Sequence, residues 1–227
     1  MSIAIDVGCV SCWSGRLRRV QRLTSTAFTA EEINWARGEP ARLTLAWTVK
    51  ESVLKLLGCG FDGIGWKGVA LIGCETTQLH IRLSPPAQEL CHQRLVHPLV
   101  AVTCLGPSLV ATALTGDCAA TRLAAVCYQS YPRQARARAA SRAARQAGRR
   151  AAHELGVGPV RFTAPREASP SSLGLADRPS VEAAFSHDCG IAIAAVSAAR
   201  HPARGDATSF QLSDKLTIKR IDARFPR

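Results

Sequence analysis

Apolar and polar residues alternate along "SIAIDV", with Ile3, Ile5 and Val7 on one face and Ala4 and Asp6 on the other. A period of two predicts a strand with one carboxylate on its second face. "FTAEEINWARG" breaks that period. Thr29 stands where a cap belongs, Glu32 follows three residues later and Gly38 closes the segment, so a short helix is predicted. Pro40 opens a longer helix, "AWTVKESVLKLLGCG" within it, that ends at Gly58-Cys59-Gly60. "WKGVALIG", "TQLHIRL", "PLVAVTCL" and "SLVATALT" read as strands with turn residues between them, with a short helix near Pro86 to Leu95. The order to about Thr115 is therefore β-α-α-β-β-β-β.

The pattern then changes. "PRQARARAASRAARQAGRRAAHELG" is rich in alanine and arginine, both strong helix formers. Arg138, Arg142, Arg145 and Arg149 fall on one stripe, Ala137, Ala140, Ala144, Ala147 and Ala151 on another, and Gly156 is a natural stop. "VGPVRFTA" is expected as a strand, "PREASPSSLGLADRP" as a loop, "SVEAAFSHDCGIAIAAVSA" as strand, turn and strand, and "KLTIKRI" as a last edge strand. An α+β fold of two similar α/β lobes, residues 1–117 and 118–227 packed as one globular unit, describes this order.

Composition narrows the class. The 227 residues are 47% hydrophobic, enough for one generous domain or two small lobes sharing a core. No apolar run approaches the roughly 18 residues needed to span a bilayer, and the start lacks a secretion signal. No membrane association and a cytoplasmic location are expected. The net charge of +12 suits a partner rich in phosphates or carboxylates, which admits nucleic acid, an anionic cofactor or an acidic protein. The nine cysteines are odd in number and scattered, and read as small buried apolar residues. Cys9-x-x-Cys12 is the one close pair. A zinc site would need two more ligands and a redox motif would need a helix starting at the pair, and the sequence displays neither.

The long helix poses a question, because Lys50, Glu51 and Lys55 stand among Trp47, Leu54 and Leu57. A helix that only packs a core carries its charges on the opposite face. Trp47, Glu51 and Lys55 share one face, at i, i+4 and i+8. Glu51 and Lys55 form either a surface ion pair or part of a site. Asp6, at a strand end, is either a turn former or a second acid. Together Asp6 and Glu51 offer two hard oxygen ligands for Mg2+. Ser186 and His187 lead into an apolar strand. They do not read as a catalytic dyad, because neighbouring strand residues point to opposite faces.

"AIDV", "WTVKESVLKLLGCG" and "FSHDCGIAIAAV" together resemble the signatures of the 4'-phosphopantetheinyl transferases, and "AFTAEE" and "DRPSV" are similar to two supporting motifs. The element order resembles the small holo-acyl-carrier-protein synthases, whereas the length resembles the larger, surfactin-type enzymes. A circularly permuted long form with pseudo-two-fold symmetry, or a short form with insertions, accounts for both. The resemblance implies transfer of the phosphopantetheine arm of coenzyme A to a serine of an apo carrier protein, releasing 3',5'-ADP. It implies Mg2+ held by Asp6 and Glu51, catalysis by Asp6, Glu51 and Lys55, and coenzyme A binding by Lys50, Lys55, Arg178, Ser186 and His187. An acidic carrier protein would dock on the arginine stripe, and the protein would act as a monomer without nucleic acid. Two positions depart from the family pattern: Gly8, where long forms carry a second acid, and Asp177, where a glycine usually precedes the basic residue of "DRP". These departures keep open a weakened, scaffold-like transferase relative. Charge alone keeps open a nucleic-acid-binding protein.

Overall fold

The computed structural model describes residues 3–20, 22–61, 63–75, 78–105, 108–114, 118–127, 133–157, 172–174 and 181–199. The first strand, β1 (Ile3–Cys9), is buried along its whole length. Helices α1 (Val10–Arg19), α2 (Leu23–Ala27), α3 (Ala30–Ala36) and α4 (Pro40–Leu57) follow it. The capping box expected at α3 is present: the Thr29 hydroxyl accepts from the Glu32 amide, and the Glu32 carboxylate accepts from the Thr29 amide. Pro40 occupies the first turn of α4, and Gly58 ends it in a left-handed conformation, φ 64°.

Helix α4 is the spine of this half. Leu43, Ala46 and Val49 join one apolar cluster with Trp13, Phe28 and Ala111, while Val53, Leu54 and Leu57 join another with Ala4, Val69 and Ala113. A helix buried around most of its circumference must also bury polar residues. Thr44, Thr48 and Ser52 do so by donating their hydroxyls back to the carbonyls of Pro40, Thr44 and Val49.

Next come β2 (Val69–Glu75), β3 (Gln78–Leu83), α5 (Pro85–Arg94), β4 (Leu99–Leu105) and β5 (Ser108–Leu114). Strands β2 and β3 form a hairpin, and β1, β5 and β4 form an antiparallel sheet in that order. The register sets Asp6 opposite Ala111 and Gly8 opposite Leu109.

The remaining elements are β6 (Cys118–Cys127), α6 (Arg133–Glu154), β7 (Ser172–Gly174), β8 (Val181–Asp188) and β9 (Ile191–Ala199). They give a second antiparallel sheet, β6-β9-β8-β7. Ala143, Ala144, Ala147, Ala151 and Ala152 bring α6 against it, since small side chains permit close approach. Arg138, Arg142, Arg145 and Arg149 lie on the exposed side.

The two sheets share a third interface. Ile3, Ile5, Val7 and Val110 of the first sheet pack against Ala184, Ile193 and Ala195 of the second. The alternation of β1 thus serves two cores, with Ala4 toward α4 and the isoleucines toward β8 and β9. Helices and antiparallel strands together make an α+β fold. Among the described residues no helix is long and apolar enough to cross a membrane.

Several elements differ from the sequence expectation. Helices α1 and α2 and strand β6 were not predicted, and β7 lies inside a stretch read as loop. In α1, Val10, Trp13 and Leu17 pack into the first core at helical spacing. Ser, Gly and Cys between them, and the short length, conceal that period. The strands expected at "VGPVRFTA" and "KLTIKRI" fall outside the described residues, Val157 apart, which lies beyond the end of α6.

Candidate active site

The middle of β1, the second half of α4 and the end of β8 border one cleft of about 520 Å3. β1 contributes Asp6, α4 contributes Glu51 and Lys55, and β8 contributes Ser186, His187 and Asp188. Four consecutive residues, Phe185 to Asp188, reach the cavity, which requires the cleft to run round the end of the strand.

Asp6 is 7% exposed and is the best-connected acid of the cleft. Its Oδ1 lies 2.6 Å from the Lys55 Nζ and accepts from the Ser186 hydroxyl at 3.0 Å. Burial pushes the Asp6 carboxyl above its ordinary value, against the opposing pull of Lys55 and the Ser186 bond. Glu51 is also raised, first by burial and then by the negative charge of Asp6, with Lys55 opposing. Two carboxylates that repel each other across one cleft, with hard oxygen donors, fit a divalent cation such as Mg2+. Lys55 reaches Asp6 in this arrangement and links β1 to the last turn of α4.

Lys50 does not reach the cleft, and the expectation that it binds coenzyme A is corrected. It is fully buried, with its Nζ 2.6 Å from the Glu32 carboxylate and donating to the carbonyls of Ala27 at 3.0 Å and Trp66 at 3.1 Å. Burial lowers its pKa, and the Glu32 charge opposes that shift. Glu32 in turn accepts from the backbone amides of Thr29 and Leu71. Lys50 therefore ties α4 to α3 and to β2. Arg178 lies outside the described residues.

Gly8 has a packing reason. A Cβ there would come 2.4 Å from the Thr48 Oγ1 and 2.9 Å from the Thr44 Cγ2. Threonine is stiff at χ1 and Thr48 is already bonded to α4, so no acid fits at position 8 while the helix lies this close to β1.

The sequence reading missed part of the lining. Arg16 and Trp13 come from the unpredicted α1, and Arg145 was assigned only to a docking stripe. The Arg16 guanidinium lies 5.5 Å from the Trp13 ring centroid, and Trp13 packs on Trp47 at 4.7 Å. The i, i+3 spacing of Trp13 and Arg16 was the available signal.

Residues 2–111 match the family model described as the 4'-phosphopantetheinyl transferase superfamily. No curated protein matches the chain. Among solved structures, a holo-[acyl-carrier-protein] synthase from Neisseria meningitidis is 14% identical, with a TM-score of 0.46 over 50% of this chain and 95% of that one. A Helicobacter pylori holo-[acyl-carrier-protein] synthase in complex with coenzyme A is 14% identical, with a TM-score of 0.45 over 51% of this chain and 100% of that one. A Plasmodium yoelii holo-ACP synthase gives 14% identity and a TM-score of 0.43 over 50% and 91%. The family match takes in β1 with Asp6 and α4 with Glu51 and Lys55, so the first half of this chain is similar to the 4'-phosphopantetheinyl transferase superfamily.

Proposed function

We propose that the chain transfers the 4'-phosphopantetheine arm of coenzyme A to a serine hydroxyl of an apo carrier protein, releasing 3',5'-ADP. One observation carries this reading: Asp6, Glu51, Lys55, Ser186 and His187, from three separate stretches of sequence, border a single cleft. The carrier serine oxygen bonds to the phosphorus that bears pantetheine. The bond from that phosphorus to the bridging oxygen of the diphosphate breaks, and 3',5'-ADP leaves with the electron pair. Glu51, which lines the cleft, would accept the serine proton in this reading, and a carboxyl raised by burial and a neighbouring acid is a better base than a free one. Asp6 and Glu51 would hold Mg2+, which when bound neutralises the diphosphate and stabilises the leaving oxygen.

The remaining residues position and neutralise. Ser186 holds the Asp6 carboxylate in place. Lys55 compensates Asp6 and stands beside the phosphate path. His187, Arg16 and Arg145 rim the cleft, where phosphate groups would meet them. Arg178 belongs to this reading as a 3'-phosphate contact from the second lobe. The exposed arginines of α6 suit an acidic carrier, an effect on association rate and salt dependence more than on chemistry.

The test mixes purified protein with coenzyme A, Mg2+ and apo carriers of fatty-acid, polyketide and nonribosomal-peptide type. Mass spectrometry of the carriers is expected to show a gain equal to the phosphopantetheinyl arm on one of them, lost when chelator replaces Mg2+. Unchanged masses on all of them, with coenzyme A bound, would leave a scaffold in place of an enzyme.

A further inference from the structure

Cys9, Cys12 and Cys189 come from opposite ends of the chain, yet their three sulfurs all lie within 4.8 Å of one another. Cys9 ends β1 and caps α1, Cys12 sits in the first turn of α1, and Cys189 occupies the β8–β9 turn. This is the context absent from the sequence reading: a helix starts at the pair, and a third thiol joins it. The convergence is braced. The Cys9 amide donates to the Asp188 carboxylate at 3.0 Å, which fixes the hairpin against the start of α1. Cys189 has φ 46° and Gly190 φ 83°, a tight two-residue turn that turns the Cys189 thiol toward the pair. Exposure is graded: Cys9 is buried, Cys12 half-buried and Cys189 exposed, so an ion can enter from solvent.

We propose that Cys9, Cys12 and Cys189 form a thiolate site for zinc, with water as the fourth ligand. Zinc–sulfur bonds of about 2.3 Å in a tetrahedron place sulfurs about 3.8 Å apart, so the thiols need to close by no more than about 1 Å. Three sulfurs favour a metal over a disulfide, which would leave one thiol unused. Sulfur donors select a softer ion than the carboxylates of Asp6 and Glu51, so the two sites are chemically separate. Zinc here would stitch the start of α1 to the β8–β9 turn, beside the cleft wall that carries His187 and Asp188.

The test uses the full chain, reduced, stripped with chelator and kept under argon, and titrated with Co2+ alone and then with Zn2+. The expected result is sulfur-to-cobalt charge-transfer absorption with tetrahedral visible bands, saturating at one ion per chain and bleached by zinc. Carboxylate-bound cobalt gives no such band. Cys12→Ser and Cys189→Ser should each weaken cobalt binding by about 10-fold or more. Cys189 is exposed, so its serine variant should keep the wild-type circular dichroism, and Cys127→Ser, an exposed thiol of β6, should leave the titration unchanged. A reduced wild type without the charge-transfer band, or a band that survives loss of Cys12 and Cys189 together, overturns the site. These outcomes do not depend on transferase activity.

Discussion

Lys50 and Lys55 stand on the same helix, and each ammonium lies 2.6 Å from a carboxylate. Their surroundings separate them. The Lys50–Glu32 pair is 0% exposed on both sides, and its further hydrogen bonds are to backbone groups of Ala27, Thr29, Trp66 and Leu71, with the Phe28 ring centroid 5.4 Å from the Lys50 ammonium. The Lys55–Asp6 pair is 24% and 10% exposed and faces the cleft, and a second acid, Glu51, shares its charge. A pair closed on all sides organises the fold. A pair left open, with one carboxylate more than its cation can neutralise, is where a ligand cation and a phosphate can enter. The question raised by the charged helix therefore has two answers, one for Lys50 and another for Glu51 and Lys55.

Removing the closed pair should have the largest effect. Lys50→Met keeps the volume but leaves Glu32 charged and uncompensated, and such changes cost about 3–5 kcal/mol. Chemical denaturation is expected to show that loss, and a variant as stable as wild type would mean that the pair organises nothing. Glu51→Gln is expected to behave oppositely. Transfer to the carrier should fall about 10²–10⁴-fold with the fold intact, measured by carrier mass against time and by circular dichroism. Undiminished turnover would remove Glu51 from the chemistry. Lys55→Met is intermediate: stability should fall by less than for Lys50→Met, because Lys55 is 24% exposed and Asp6, already raised by burial and bonded to Ser186, can take up a proton, while transfer falls measurably through weaker coenzyme A binding. A large stability loss at Lys55 would erase the distinction between the two pairs.

The residues of the open pair were singled out in the sequence, though Lys55 was paired there with Glu51 and not with Asp6, and the closed pair was not read at all. Asp6 lies on an alternating strand, Glu51 and Lys55 share a helix face, and Ser186 and His187 lead an apolar strand, so periodicity and motif had singled out these five residues, which line one cleft. Lys50 adjoins Glu51 in the same motif, and adjacency suggested a shared role. On a helix, neighbours in sequence project about 100° apart, and the face that Lys50 shares leads to Glu32 instead of the cleft. Glu32 was recognised as a cap but not as a buried counter-ion, because one residue's two duties leave only one local signature. Gly8 read as a lost ligand, whereas its cause lies in Thr44 and Thr48, a contact between elements that no local pattern reveals. The cysteine cluster was hidden for the same reason, since its third member arrives on a hairpin from the far end of the chain.

The smallest effect tests the surplus charge itself. Burial and Asp6 raise the folded-state pKa of Glu51 above the ordinary glutamate value of 4.5. The folded protein then holds a proton that the unfolded chain has released. The stability Glu51 contributes is full below that ordinary value and is lost as pH rises through the folded one. In chelator-treated protein, Glu51→Gln and wild type should melt alike in mild acid, and the variant should melt higher than wild type toward neutral pH. Adding Mg2+ should raise the wild-type melting temperature and leave the variant nearly unmoved, because a cation that binds only the folded state stabilises it in proportion to its affinity. Parallel melting curves across the range would mean that Lys55 already balances both acids. The open pair would then be as satisfied as the closed one, with no electrostatic reason left for a cation to enter.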